Sequence, residues 1–214
     1  MKIYDLTLTL SPELAVWEGD APIEIETPSR LEYGDEYNLS TLKMSVHAGT
    51  HVDAPCHFLS DGKGVDQLNM DALTGPVSVA DLRGYARIDQ NILQGLSLPD
   101  SVSRLIFLTD NTDRNILYSK SFVRDFVALD EKAAAWVAER GIRLIGIDAL
   151  SIAPYGQSCQ THAALLKADV VIVEGLDLHG VQAGDYELMV APLKIRNCDG
   201  APARVMLKDK ESLP

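Results

Sequence analysis

The chain has little of what marks several protein classes. Its three cysteines, Cys56, Cys159 and Cys198, are odd in number and far apart. That excludes a disulfide framework and any paired-cysteine zinc motif. Positive charge is scarce: 19 lysines and arginines stand against 31 acids, a formal net charge of -12. Such a surface repels nucleic acid and anionic membranes, so neither is expected as a partner. No apolar run approaches the roughly eighteen residues of a membrane span. The opening MKIYDLTLTLSPEL alternates instead of forming an apolar h-region, so no signal peptide is read there and a cytoplasmic protein is expected. A serine hydrolase of the G-x-S-x-G kind is excluded because that elbow does not occur.

What is present reads as one α/β domain over residues 1–214, because length and composition are ordinary for a single sizeable core. YDLTLTL alternates, with Tyr4, Leu6, Leu8 and Leu10 on one face, and IEIET at 23–27 reads as a second strand. LKMSVHAGT puts Leu42, Met44 and Val46 on one face and His47 on the other. PVSVADL and RLIFLT are further strands. The second half changes rhythm: LDEKAAAWVAERG has good helix formers throughout, acids in the first turn and Gly141 as a stop. It runs into the strand IRLIGID; THAALLKAD is then a short helix leading to VVIVEGL, and YELMVAPLKI and ARVMLK close the chain as strands. Strands first and alternation afterwards imply a mixed sheet or barrel with flanking helices.

Histidine is also rare, yet three of the five fall within SVHAGTHVDAPCHF, residues 45–58. His47, His51, Asp53 and His57 are spaced four, two and four. On a helix Asp53 would lie about 200° from His51; on an extended chain all four point to one side. An extended segment is therefore expected, with Gly49 supplying a bend and room beneath an ion, since a straight strand sets His47 and His51 roughly 13 Å apart. Two histidines and an aspartate are a coherent ligand set for a divalent cation, zinc or manganese. His57 is left over as a proton carrier, its ordinary pKa being near neutrality. Its neighbour Cys56 would face away on an extended chain, which argues against a Cys56–His57 nucleophile pair.

The rest of such a site has to come from elsewhere. Glu174 ends the apolar run VVIVE, where a carboxylate is costly to bury without a cation. His162 is expected to open the helix leading into that strand. His179, in a turn-rich stretch, reads as solvated surface.

The motif HAGTHVDAPCHF, with THAALL and VVIVEGLDL later, resembles the cyclase family of metal-dependent hydrolases, whose hallmark is H-x-G-T-H-x-D-x-P-x-H. The likeness covers nearly the whole chain, including LIGID and the terminal GDYEL, PLKI and APARV. It implies a β/β/α fold, a homodimer or higher oligomer, and a small-molecule substrate. It implies that His47, His51 and Asp53 bind one ion, that a second is held by His162 with Asp53 and Glu174 bridging, and that His57 donates and accepts the proton. Trp17, in VWEGDAP, matches an aromatic that contacts substrate in the kynurenine formamidases. Glu18 departs from the proline expected after it, and DALSIAPYGQSCQTH departs from the formamidase pattern; both bear on substrate and not on metal. The implied activity is hydrolysis of a small amide, N-formylkynurenine first. Ring opening of a cyclic amide such as isatin or of a lactone is the alternative, and a non-catalytic metal-binding protein the rival of another kind.

Overall fold

Every residue of RLIFL, at 104–108, is buried, and its side chains divide between two apolar clusters. Leu105 and Phe107 join one that includes Ala133, Ala134, Val137 and Leu165; Ile106 and Leu108 join another with Val77, Val79, Val173, Val205 and Leu207. A strand covered on both faces needs helices on one side and a second wall of sheet on the other. The computed structural model, which describes residues 1–210, shows that arrangement.

The strands are β1 (Ile3–Asp5), β2 (Glu24–Ser29), β3 (Leu39–Lys43), β4 (His51–Asp53), β5 (Thr74–Asp81), β6 (Arg104–Leu108), β7 (Leu144–Ile147), β8 (Val171–Glu174), β9 (Gly184–Pro192) and β10 (Gly200–Asp209). The helices are α1 (Met70–Leu73), α2 (Gln90–Gln94), α3 (Asp110–Asp113), α4 (Glu131–Glu139) and α5 (Ser158–Lys167). In space β10, β4, β8, β7, β6, β5 and β9 follow edge to edge, and β10 also pairs with β9, so the sheet closes into a mixed barrel. Strands β5 to β8 are parallel; the other pairings are antiparallel, with β1 attached to β10. One cluster fills the barrel and the other lies between its outer face and the helices. The expected single α/β domain with a mixed barrel and flanking helices is what the chain forms.

Parity along β8 positions the chemistry. Val171 and Val173 point into the barrel and Ile172 to the helix side. Glu174 therefore faces the helix side too, at the carboxyl end of a parallel strand, where open α/β sheets place their ligands. In antiparallel register His51 stands opposite Glu174 and Asp53 opposite Ile172. All three polar side chains thus share one face, and Val52 between them joins the barrel core.

Several expectations need correction. The stretch 45–58 is not continuously extended. Only His51–Asp53 is strand; His47 lies in a turn and Pro55–His57 forms a 3-10 turn. Gly49, at φ +70, breaks the extension, and Pro55 at the start of the 3-10 turn gives up a donor not needed there. Nor does Gly49 make room beneath an ion: a Cβ there would meet Leu10 at 2.8 Å and Leu14 at 3.4 Å, so the space is on the core side. Helix α5 starts at Ser158, which moves His162 from the helix opening to its second turn. The YDLTLTL strand stops at Asp5, with a single bridge from Thr7 to Leu176 beyond it. Strand β2 pairs with β3 in a separate ribbon.

After β8 the chain turns sharply at Gly175, whose φ is +69 and whose place for a Cβ lies 2.3 Å from the Gly49 carbonyl oxygen. Gly175→Ala therefore combines left-handed strain with a backbone collision and should cost about 2–4 kcal/mol. Gly141→Ala, at φ +71 with nothing within 4 Å, carries the strain alone, about 1–2 kcal/mol. Urea unfolding of both variants checks this; equal midpoints would mean that the β4–β8 backbone contact does not constrain the fold.

Candidate metal centre

Three elements and two turns deliver the polar groups to one place. From β4 come His51 and Asp53, and from the facing end of β8 comes Glu174; all three are buried. Helix α5 covers this face and lowers His162, 2 % exposed, onto the pair of carboxylates. The turns on either side of β4 add His47 and His57.

The distances define the arrangement. His51 Nε2 is 3.3 Å from Glu174 Oε2 and 3.6 Å from Asp53 Oδ1. His162 Nε2 is 3.2 Å from Glu174 Oε1 and 3.4 Å from Asp53 Oδ2. His47 Nδ1 is 3.0 Å from Asp53 Oδ1. The tautomers follow from the far side of each ring. His51 Nδ1 lies 2.9 Å from the Gly49 carbonyl and His162 Nδ1 2.7 Å from the Ser158 carbonyl. A carbonyl oxygen only accepts, so both rings donate there through Nδ1–H, and in a neutral ring Nε2 is then a bare lone pair.

Bare lone pairs facing carboxylates repel unless a proton or a cation lies between them. Among the described residues His51 Nε2 and Asp53 Oδ2 are buried with no hydrogen-bond partner. Unsatisfied buried groups of this kind are rare and costly. Donor atoms of His47, His51 and Asp53, and separately of Asp53, His162 and Glu174, lie within 4.8 Å of one another. The donor set is all nitrogen and oxygen, neutral imidazole with carboxylate, and it fits a divalent ion such as zinc or manganese.

The ionisation pattern follows the same crowding. Burial alone would raise the Glu174 carboxyl, but the adjoining His162 and His51 rings hold it well below the usual range. Burial opposes charge on His47 and His162 as well; Asp53 nonetheless raises His47 to about 9, and Glu174 raises His162. Burial lowers His57, against the pull of Asp53. A site that draws protons onto His47 and His162 is one with surplus negative charge.

Above the centre opens a cavity of about 460 Å³, lined among others by His47, His51, His57, Phe58, His162 and Trp17. Its size suits a small ligand. Phe58 stacks on His162 at 4.4 Å. Trp17 is backed by Phe122 at 4.6 Å and Tyr155 at 5.6 Å, so Trp17 and Phe58 give the cavity its aromatic surface. Glu18 accepts three contacts from Arg124, at 2.5, 2.6 and 2.9 Å, and one from the Tyr155 hydroxyl at 2.7 Å. The residue standing in place of the expected proline thus ties the Trp17 loop to Arg124 and Tyr155.

The residues singled out from the sequence as ligands or proton carrier, together with Trp17, meet around this cavity. His179 does not; it is exposed, with its Nδ1 2.6 Å from Asp177. Cys56 does not lie on an extended chain that turns it away from His57. It sits in the 3-10 turn with Sγ 3.5 Å from the Cys198 carbonyl, and burial pushes its thiol up. Two contributors escaped the sequence reading. Asp199 Oδ2 lies 2.9 Å from His47 Nε2 and 3.5 Å from His57 Nδ1. The Ile152 amide donates to Glu174 Oε1 at 2.6 Å. Neither left a signal in the sequence, since one is backbone and the other an acid in a turn-like NCDG.

Comparisons with known proteins agree with this geometry. The family model named Cyclase matches residues 4–154. Cyclase-like protein 1 of Arabidopsis thaliana is 35 % identical, over 96 % of this chain and 84 % of its own. A kynurenine formamidase of Bacillus mycoides is 34 % identical, over 95 % of this chain and 96 % of its own. A solved structure described as a potential metal-dependent hydrolase with cyclase activity superposes with a TM-score of 0.84 at 33 % identity, covering 98 % of each chain. With its clustered imidazoles and carboxylates beneath an aromatic-walled cavity, this chain belongs to the cyclase family of metal-dependent hydrolases.

Proposed function

We propose that the protein is an arylformamidase that hydrolyses N-formylkynurenine, using zinc, or manganese in its place, at the centre between β4 and β8. The observation that carries the metal part is the pair of buried, unpartnered atoms, His51 Nε2 and Asp53 Oδ2. His47, His51 and Asp53 would hold one ion. His162 would hold a second, with Asp53 and Glu174 shared between the two. A divalent cation there supplies Lewis acidity, polarising a carbonyl and bringing the pKa of water toward about 7. The substrate part rests on the cavity's aromatic wall and on the formamidase among the relatives.

The chain's own groups then have separable tasks. Trp17 and Phe58 give an aryl ring apolar surface on which to lie. His57 takes the proton released by the attacking water and returns it to the departing aryl amine. Its ring stacks on His47 at 4.1 Å and borders the cavity. General acid–base assistance of this kind is worth about 10²–10⁴ in rate. A protein that only stored an ion would need neither the cavity nor a histidine outside the ligand groups. The free cysteines are consistent with a reducing, cytoplasmic setting.

A panel of N-formylkynurenine, isatin and simple lactones, assayed with metal-stripped and reconstituted protein, tests the assignment. Turnover of the formamide should vanish on stripping and return with zinc or manganese. Preference for isatin or a lactone would move the activity to ring opening, and silence on all of them would favour metal binding without catalysis.

His57→Ala should lower kcat about 10²- to 10⁴-fold with metal content unchanged, whereas Asp53→Asn should lose metal and activity together. Metal analysis beside the kinetics separates the two, and equal metal loss in both variants would remove the proton-carrier role. Trp17→Ala should raise KM several-fold, the loss of about 0.5–1.5 kcal/mol of aromatic contact. An unchanged KM would leave Trp17 as a packing residue.

A further inference from the structure

We infer that Asp199 is the orienting carboxylate of the centre: it fixes the His47 ring for metal and the neighbouring His57 ring for proton transfer. The metal half extends the ligand scheme above, and the proton half rests on the arylformamidase reading.

Each of the three histidines turned on the carboxylates uses one nitrogen inward and secures the other. His51 and His162 secure theirs on backbone carbonyls. His47 is turned the other way round, with Nδ1 toward Asp53 and Nε2 toward Asp199 Oδ2 at 2.9 Å. Its outer partner is therefore a full carboxylate, which makes a stronger hydrogen bond than a carbonyl and raises the basicity of the inward nitrogen. Outer partners of this kind set ligand orientation and typically govern metal affinity 10- to 100-fold.

The same oxygen serves a second ring. His57 lies over His47 with centroids 4.1 Å apart and planes inclined by 26°. Stacking brings His57 Nδ1 to 3.5 Å from Asp199 Oδ2. A hydrogen bond there, tightening when substrate closes the site, would put the proton on Nδ1 and leave Nε2 free to act as base. A base oriented by a third group is the arrangement on which triad chemistry depends.

The start of β10 is built to permit this. Gly200 follows Asp199, and a Cβ on it would lie 2.7 Å from His47 Cε1. No other residue type lets the His47 ring lie against this backbone. The Asp199 carbonyl in turn accepts from the Ala54 amide at 2.8 Å, tying the segment to the chain between the two histidine-bearing turns. Asp199 itself is 46 % exposed. An asparagine fits its place, so loss of fold is not the expected effect of replacing its charge.

The test is Asp199→Asn, read first without substrate. Zinc is titrated into metal-free wild type and variant against a chromogenic chelator. The variant should bind zinc about 10- to 100-fold more weakly, with thermal unfolding of the metal-free protein unchanged. At saturating zinc, kcat on N-formylkynurenine should fall at least tenfold while KM stays within about twofold. Zinc affinity equal to wild type overturns the inference whatever turnover does. So does a variant that unfolds early without metal, since the role would then be structural. If wild type hydrolyses none of the amides, the arylformamidase reading fails, and the zinc titration still decides whether Asp199 orients His47.

Discussion

Two carboxylates and the inward edges of two imidazoles are packed together in a buried region, where His51 Nε2 and Asp53 Oδ2 meet no hydrogen-bond partner. Asp53, Glu174, His51 and His162 are each at most 3 % exposed. In a low-dielectric interior such an assembly is unfavourable unless a positive charge sits in its midst. The fold has to supply enough stability elsewhere to hold these groups together, and the centre in turn recovers stability when a cation binds. The demand for a cation is thus a property of the folded chain.

What enforces the crowding is register. The pairing of β4 with β8 sets His51 directly opposite Glu174, and slipping it by one residue would send every side chain to the other face. That would put Val52 among the helices and both His51 and Asp53 in the apolar barrel. The register is pinned on both sides, by Val52 and Val173 in the barrel core and by Gly175 lying against the Gly49 backbone. The barrel core therefore acts on the chemistry indirectly, by making the alternative pairings costly. Helix α5 completes the centre from outside, its His162 anchored within the helix by the Ser158 carbonyl one turn earlier.

This division explains what could be read from the sequence. The apolar strands and α4 announce themselves by periodicity, and Glu174 by being a carboxylate at the end of VVIVE. The even spacing of His47, His51, Asp53 and His57 marks them as related, but for an incomplete reason. Only His51 and Asp53 owe their common direction to strand geometry, whereas His47 and His57 come round through turns at Gly49 and Pro55. Turns of that kind depend on what the chain packs against, here Leu10 and Leu14, which no local pattern encodes. Asp199 is hidden for a related reason. It stands 152 residues from His47, in a polar segment where an acid is unremarkable, and only closure of the barrel through β10 brings it home.

Burial alone does not distinguish a ligand from a structural acid, as a third carboxylate shows. Asp148 directly follows β7, as Glu174 ends β8, and it is fully buried. Yet its oxygens accept from the amides and hydroxyls of both Thr109 and Thr112, at 2.7 to 3.1 Å. Those four bonds hold the loop after β6 and occupy the lone pairs of Asp148. Burial raises its carboxyl group, and the threonine bonds oppose that shift. Asp53 is equally enclosed, but one of its oxygens meets no donor at all. Within one barrel, the number of donors supplied by the protein separates the two roles: a saturated carboxylate braces the scaffold, and an unsaturated one is left for an ion.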